Sequence, residues 1–210
     1  MFDYIRDPAE ITKRSFETAR AETDLSGLAP NEAGVALRLV HACGMPGIAK
    51  DLAFGAGAVN AGRRALIEGR AVLTDVEMVR HGVIRARLPA ENKILCTLHD
   101  PGVKERAREK GWTRSAAAVD LWGDDLAGSV VAIGNAPTAL FRLLELLDGG
   151  ASPPAVVLGF PVGFVGAAES KDALVEFARA RGLPFIALLG RRGGSALAAA
   201  AVNALAGNAP

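Results

Sequence analysis

The sequence predicts an α/β fold, a doubly wound, flavodoxin-like parallel sheet of five strands with extra helices at the N-terminus. Three observations carry this. From residue 71 onward, short apolar runs alternate with helical patterns. The runs are apolar at every position rather than at alternate ones. Half of the 210 residues are hydrophobic while only 5% are aromatic. A strand that is apolar throughout is buried on both faces, which implies a parallel sheet with helices above and below it. The 24 glycines and few aromatics suit layers that pack closely through Ala, Gly and Val.

At the N-terminus, Asp7-Pro-Ala-Glu10 reads as a helix start. Asp7 can cap, Pro8 occupies the first position where its missing N–H costs nothing, and Glu10 can reach back. This helix is expected to run to about Ala21. A second begins near Pro30 and stops at Gly44, a left-handed terminator. Residues 46–69 are rich in Ala and Gly, with a helix expected over Asn60 to Glu68. The five strands follow at 71–74, 94–98, 129–133, 155–158 and 185–189, with helices clearest at Ser115–Trp122, Pro137–Leu147 and Ala168–Ala180. One domain over residues 1–210 accounts for the length, with 1–70 a helical part and 71–210 the parallel core.

The net charge of +1 leaves no electrostatic footprint for nucleic acid, and no run of like charges suggests a membrane surface. No apolar segment reaches the ~18 residues of a membrane span, and Met1 to Asp7 lacks the order of a signal peptide. Cys43 and Cys96 are too few for a disulfide framework or a zinc site. A soluble cytoplasmic protein is expected.

In an open parallel sheet, ligands bind beyond the carboxyl ends of the strands. Those ends carry Asp75-Val-Glu77, Asp100-Pro-Gly102, Gly134-Asn-Ala-Pro-Thr138, the stretch Gly159 to Lys171, and Gly190-Arg-Arg-Gly-Gly-Ser195. Three are glycine turns leading into helices, so free backbone N–H groups are expected to converge on one rim. Arg114, Lys171, Arg191 and Arg192 stand near helix beginnings, where the macrodipole disfavours cations. Together they suggest a multiply anionic ligand, a carboxylate or phosphate. No G-x-G-x-x-G turn follows the first strand and no P-loop Gly-Lys-Ser/Thr follows any strand, so a dinucleotide or nucleotide fingerprint is missing. Among three histidines, His41 lies in the last turn of the second helix, where carbonyl ends favour an imidazolium, and it is a candidate proton donor. His81, His99 and the pair Asp75 and Glu77 read as structural or peripheral, and Trp112 and Trp122 as packing groups.

Asp3-Tyr-Ile-Arg-Asp7, Arg14-Ser-Phe16, Val40-His-Ala-Cys-Gly44, Asp75-Val-Glu-Met-Val79, Thr113-Arg-Ser-Ala-Ala117, Gly134-Asn-Ala-Pro-Thr138, Gly159 to Lys171 and Gly193-Gly-Ser195 occur in this order. Together they closely resemble the precorrin-8X methylmutase family of cobalamin (corrinoid) biosynthesis. The resemblance implies a three-layer α/β/α fold and a homodimer with its site near the subunit interface. It also implies an isomerase that moves a methyl group from C11 to C12 of a tetrapyrrole, giving hydrogenobyrinate or its cobalt form. His41 becomes the proton donor and acceptor, and Ser15 and Arg114 substrate contacts. Arg14, Ser115, Asn135, Gly163, Gly166, Arg191, Gly194 and Ser195 complete the candidate substrate-binding set. No protein-bound metal and no cofactor are expected. A ring with several carboxylate arms agrees with the glycine turns and displaced cations. A non-catalytic tetrapyrrole carrier, or an enzyme acting on a phosphorylated small molecule, would also use such a rim.

Overall fold

The structure, a computed structural model, describes residues 2–55 and 57–207; the outermost residues of the expected domain, 1 and 208–210, lie outside it. Helix α1 (Pro8–Glu22) begins as its sequence implies, with Asp7 accepting the Glu10 N–H at 2.7 Å. The Glu10 side chain does not reach back, however. It pairs with Arg14 one turn on, at 2.5 Å, because an exposed i,i+4 partner competes for the carboxylate. Helix α2 (Pro30–Cys43) ends on Gly44 at φ 67°.

The sheet has six strands among the described residues, in the order β1-β6-β5-β4-β2-β3. They are β1 (Leu52–Phe54), β2 (Val72–Thr74), β3 (Ile94–Leu95), β4 (Val130–Ile133), β5 (Val156–Gly159) and β6 (Phe185–Leu188). β2 to β6 are the five expected strands and they pair in parallel. Numbered by themselves they run 2-1-3-4-5, the order of a doubly wound sheet whose winding reverses between β2 and β4. The sixth, β1, pairs antiparallel with β6 through Leu52↔Leu188 and Phe54↔Ile186. Three half-buried residues in an Ala/Gly-rich segment carry too little pattern to announce an edge strand. β3 is shorter than the run 94–98. After Leu95 the chain leaves the ladder, and the Thr97 hydroxyl bonds instead to the carbonyl of Ala118 at 2.7 Å.

Alternate strand residues feed two cores, which is why the runs are apolar throughout. Val130, Ala132, Val156, Leu158 and Ile186 face α2, α3 (Ala58–Ile67), α4 (Glu77–Gly82) and α9 (Ser195–Ala206). Val131, Ile133, Val157, Phe185 and Ala187 face α7 (Pro137–Asp148) and α8 (Ala167–Arg181). The result is three layers, α/β/α. α2 and α3, from the N-terminal part expected to be helical, share the core of the first layer with α4 and α9. Ala-rich α9 is the centre of that layer. It lets backbone come close: a Cβ on Gly82 would lie 2.6 Å from Ala199 Cβ, and one on Gly134 would lie 2.8 Å from Ala198 Cβ. Asn203 secures it by donating to the Gly82 carbonyl at 3.0 Å and accepting the Ile84 N–H at 2.8 Å. Two further helices, α5 (Val103–Lys110) and α6 (Arg114–Val119), cover the β3 side through a small cluster of Val103, Ala107, Ala117 and Ala118. No helix among the described residues is long and apolar enough to cross a membrane.

Candidate functional site

The site candidates fall into two neighbouring sets. The first lies where α1 crosses α2. His41 stands in the last turn of α2 with its ring exposed, and α1 presents two residues to it. Ser15 Oγ lies 2.8 Å from His41 Nδ1, and the Phe16 ring stacks on the imidazole with centroids 4.5 Å apart and planes at 17°. Consecutive residues thus hold the imidazole by one nitrogen and one face. The Arg38 guanidinium lies over the Phe16 ring as well, 5.7 Å from its centroid. An open groove of about 360 Å³ runs past this group, lined by Arg14, Ser15, Glu22, His41, Gly44 and Pro46 among others. Arg14, Ser15 and His41, expected from the sequence to share a site, therefore do share one groove. Phe16 belongs to the sequence motif Arg14-Ser-Phe16, and a flat partner for a flat imidazole is the signal it offers.

The second set is the carboxyl rim of the sheet. The loop after β5 and the loop after β6 are joined to each other. The Gly163 N–H donates to the Arg191 carbonyl at 3.2 Å and the Gly194 N–H to the Phe160 carbonyl at 2.8 Å. Gly193 permits this approach, since a Cβ there would sit 2.3 Å from the Phe160 oxygen. Gly166, at φ 78°, ends the first loop as the N-cap of α8, in a conformation that favours glycine. Phe164 and Val165 at the tip are 85% and 89% exposed, and the Arg191 guanidinium lies 5.7 Å from the Phe164 ring. Ser195 opens α9 and is buried against the turn at Gly134. Arg114 and Ser115 open α6, whose cap Thr113 bonds to Thr138 of α7, hydroxyl to hydroxyl, at 2.7 Å.

Two features of this rim differ from the expectation. Its N–H groups are not all free. The Asp75 carboxylate, at the end of β2, accepts the N–H groups of Gly134, Asn135 and Ala136 at 2.8–2.9 Å. It fills the turn at the reversal point of the sheet, so the Asn135 amide faces a protein carboxylate while its side chain remains exposed. Burial pushes the Asp75 carboxyl above the ordinary range, and the three N–H bonds oppose that by favouring its charged form. Lys171 also differs. It is fully buried rather than aimed at a ligand, and donates to the Pro161 carbonyl at 3.0 Å and the Arg192 carbonyl at 2.7 Å. Desolvation brings its ammonium down to about 8 against the opposing pull of Asp172.

The two sets are linked by the 3₁₀ segment Pro46–Asp51, which follows α2 directly. Asp51 forms an ion pair with Arg192, and its carbonyl accepts the Leu189 N–H at 2.8 Å. The chain that carries His41 is thereby anchored to the loop that carries Arg191. Elsewhere, Glu77 pairs with Arg80 at 3.1 Å and His81 at 3.4 Å, and the Arg142 guanidinium stacks on Trp112 at 4.5 Å while pairing with Asp120. These bonds fit the structural roles expected for Glu77, His81 and Trp112. Among the described residues no group of three or more His, Cys, Asp or Glu could hold a metal ion.

The family model described as precorrin-8X methylmutase matches residues 10–208. A precorrin-8X methylmutase of Pseudomonas aeruginosa is 57% identical over 206 residues, 98% of each chain. A cobalt-precorrin-8 methylmutase of Methanothermobacter thermautotrophicus is 38% identical, covering 93% of this chain and 91% of its own. The crystal structure of a precorrin-8X methylmutase from Thermus thermophilus superposes with a TM-score of 0.84 at 37% identity, over 93% of this chain and 95% of the other.

Proposed function

The chain belongs to the precorrin-8X methylmutase family of cobalamin biosynthesis, and from that premise we propose that it moves a methyl group from C11 to C12 of precorrin-8X, with His41 as proton donor and acceptor. It is an isomerase, and the rearrangement is balanced within the substrate: one carbon–methyl bond breaks, another forms, and nothing is gained or lost. The observation that supports the assignment of His41 is its place in an open groove, with Nδ1 held by Ser15 and the ring plane held by Phe16.

That arrangement suits a reversible proton transfer. A serine hydroxyl can accept a hydrogen bond from Nδ1–H. In a cycle that runs through Nε2 the Nδ1 proton stays in place, so Ser15 accepts it in both charge states of His41 without moving. Nε2 delivers a proton to the macrocycle, the altered electron distribution eases the methyl shift, and Nε2 takes the proton back. Because the groups that hold the ring are already in place, little reorganisation is needed as the transition state forms.

The rim completes the binding surface. Arg14 from the groove and Arg114 and Arg191 from the rim meet carboxylate arms, with Ser115, Asn135 and Ser195 offering further polar contacts. Gly163, Gly166 and Gly194 give the loops their shape, and the exposed Phe164 and Val165 meet the apolar face of the ring. Metal-free precorrin-8X is the substrate of choice. Two relatives at 57% identity carry that name, whereas the cobalt-precorrin-8 methylmutases are 32–38% identical. A homodimer with its site near the interface accords with the exposed Phe2, Tyr4, Ile5 and Ile11 beside the groove-forming helix, since such apolar side chains on one segment mark a contact surface.

The test is to mix the purified protein with precorrin-8X and follow the visible spectrum. A shift to the spectrum of the corrin product is expected, faster for the metal-free ring than for its cobalt form. Binding with no spectral shift would leave only a tetrapyrrole carrier.

A further inference from the structure

Lys171 is a charged side chain that the reaction does not use. It is fully buried, and its ammonium bridges two loops, donating to Pro161 in the β5–α8 loop and to Arg192 in the β6–α9 loop. A buried ammonium is costly unless it is bonded, so such a group is better tolerated where its charge finds a use. Little nearby neutralises it. Asp172, the next residue of α8, is the one charge that favours its protonated form. The Arg192 side chain turns to Asp51, Arg191 lies near the Phe164 ring, and on α7 Arg142 is paired with Asp120 and Glu145 and Asp148 with Arg181. β5, β6 and α9 carry no charged residue.

We propose that Lys171 is a positioning residue, whose ammonium ties the two rim loops into one wall and places a positive charge behind it for the carboxylate arms of the macrocycle. The inference rests on the tetrapyrrole reading above. Its geometry is that of a clamp: both acceptors are backbone carbonyls, so the loops that carry Gly163, Arg191 and Gly194 move together or not at all. The charge acts through the wall without touching the ligand. With the ammonium at about 8 in the free protein, bound carboxylates favour its charged form. Reciprocity then requires that binding near pH 8 take up a proton, and that affinity fall as pH rises from 7 to 9.5.

The experiment is calorimetric titration of the protein with hydrogenobyrinate at pH 8 to 8.5 in two buffers of different ionisation enthalpy. Proton uptake is expected for the wild type and is lost in Lys171→Met. Affinity of the wild type falls about threefold to tenfold between pH 7 and 9.5, tenfold corresponding to one full unit of pKa shift. Lys171→Arg, which stays charged throughout, binds as well at pH 9.5 as at pH 7. Wild type without proton uptake, or uptake unchanged in Lys171→Met, overturns the proposal while leaving the enzyme assignment intact. Failure to bind hydrogenobyrinate at any pH overturns both. The wild-type measurement stands alone if neither variant folds.

Discussion

Ser15 Oγ and His41 Nδ1 stand 2.8 Å apart, on two helices that touch only because α1 lies across the C-terminal half of α2. On the proposed mechanism, that hydroxyl directs the imidazole rather than binding the ring. Ser15→Ala is expected to lower kcat by about tenfold to a hundredfold, part of the 10²–10⁴ that a positioned acid–base group contributes, with KM little changed. Steady-state rates from the product spectrum check this. A KM change with unaltered kcat would make Ser15 a simple substrate contact.

His41→Ala is expected to bind the ring and turn it over about 10²–10⁴ times more slowly. Adding Ser15→Ala to it should cost nothing further, because the two residues act as one unit. Additive losses in the double variant would show that Ser15 works independently of His41.

Asp75 is bonded to three consecutive N–H groups of a turn that no other side chain caps. Asp75→Ala leaves those donors unpaired, the Gly134 and Ala136 N–H groups buried, and is expected to destabilise the fold by about 3 kcal/mol, read from urea unfolding. Asp75→Asn keeps one accepting oxygen and should lose less. Equal losses would mean that charge, rather than the hydrogen bonds, matters.

At Gly193 an added Cβ would meet the Phe160 and Pro161 oxygens at 2.3 and 2.4 Å, both backbone atoms that cannot swing aside. Gly193→Ala is therefore expected to part the two rim loops, raising KM severalfold and lowering Tm. An unchanged KM would show that the loops need not be joined for binding.

Lys171 gives a pH dependence of known sign. Its folded value, about 8, lies below the 10.5 of a free lysine, so the unfolded chain binds this proton more tightly. Its stability penalty is full below about pH 8 and disappears as pH rises through the unfolded value. Relative to Lys171→Met, the urea midpoint of the wild type should climb between about pH 8 and 10.5. Parallel curves for the two proteins would contradict the desolvated ammonium.

The parallel core was legible because burial on both faces writes a continuous apolar run, and Val130–Ile133 or Val156–Leu158 can be little else. The helix stop at Gly44 and the Asp7 cap were legible because their chemistry is local. β1 was not, since Leu52–Phe54 becomes a strand only by pairing with β6, more than a hundred residues on. α5 was not, because Val103–Lys110 has only Val103 and Ala107 to bury and otherwise reads as solvated charge. In the site, His41 with Arg14 and Ser15 came through as motifs. The work of Asp75 and Lys171 did not. Asp75 acts on residues 59 to 61 positions away, and a lysine in a helix's early turns does not declare which way it folds.

The carboxylate of Asp75 sits at the reversal point of the sheet, the place where open α/β sheets commonly bind their ligands. Its two oxygens already take up the N–H groups of Gly134, Asn135 and Ala136. The turn is thus spent on a side chain of its own chain, and an anionic ligand at this rim has to be met by other groups.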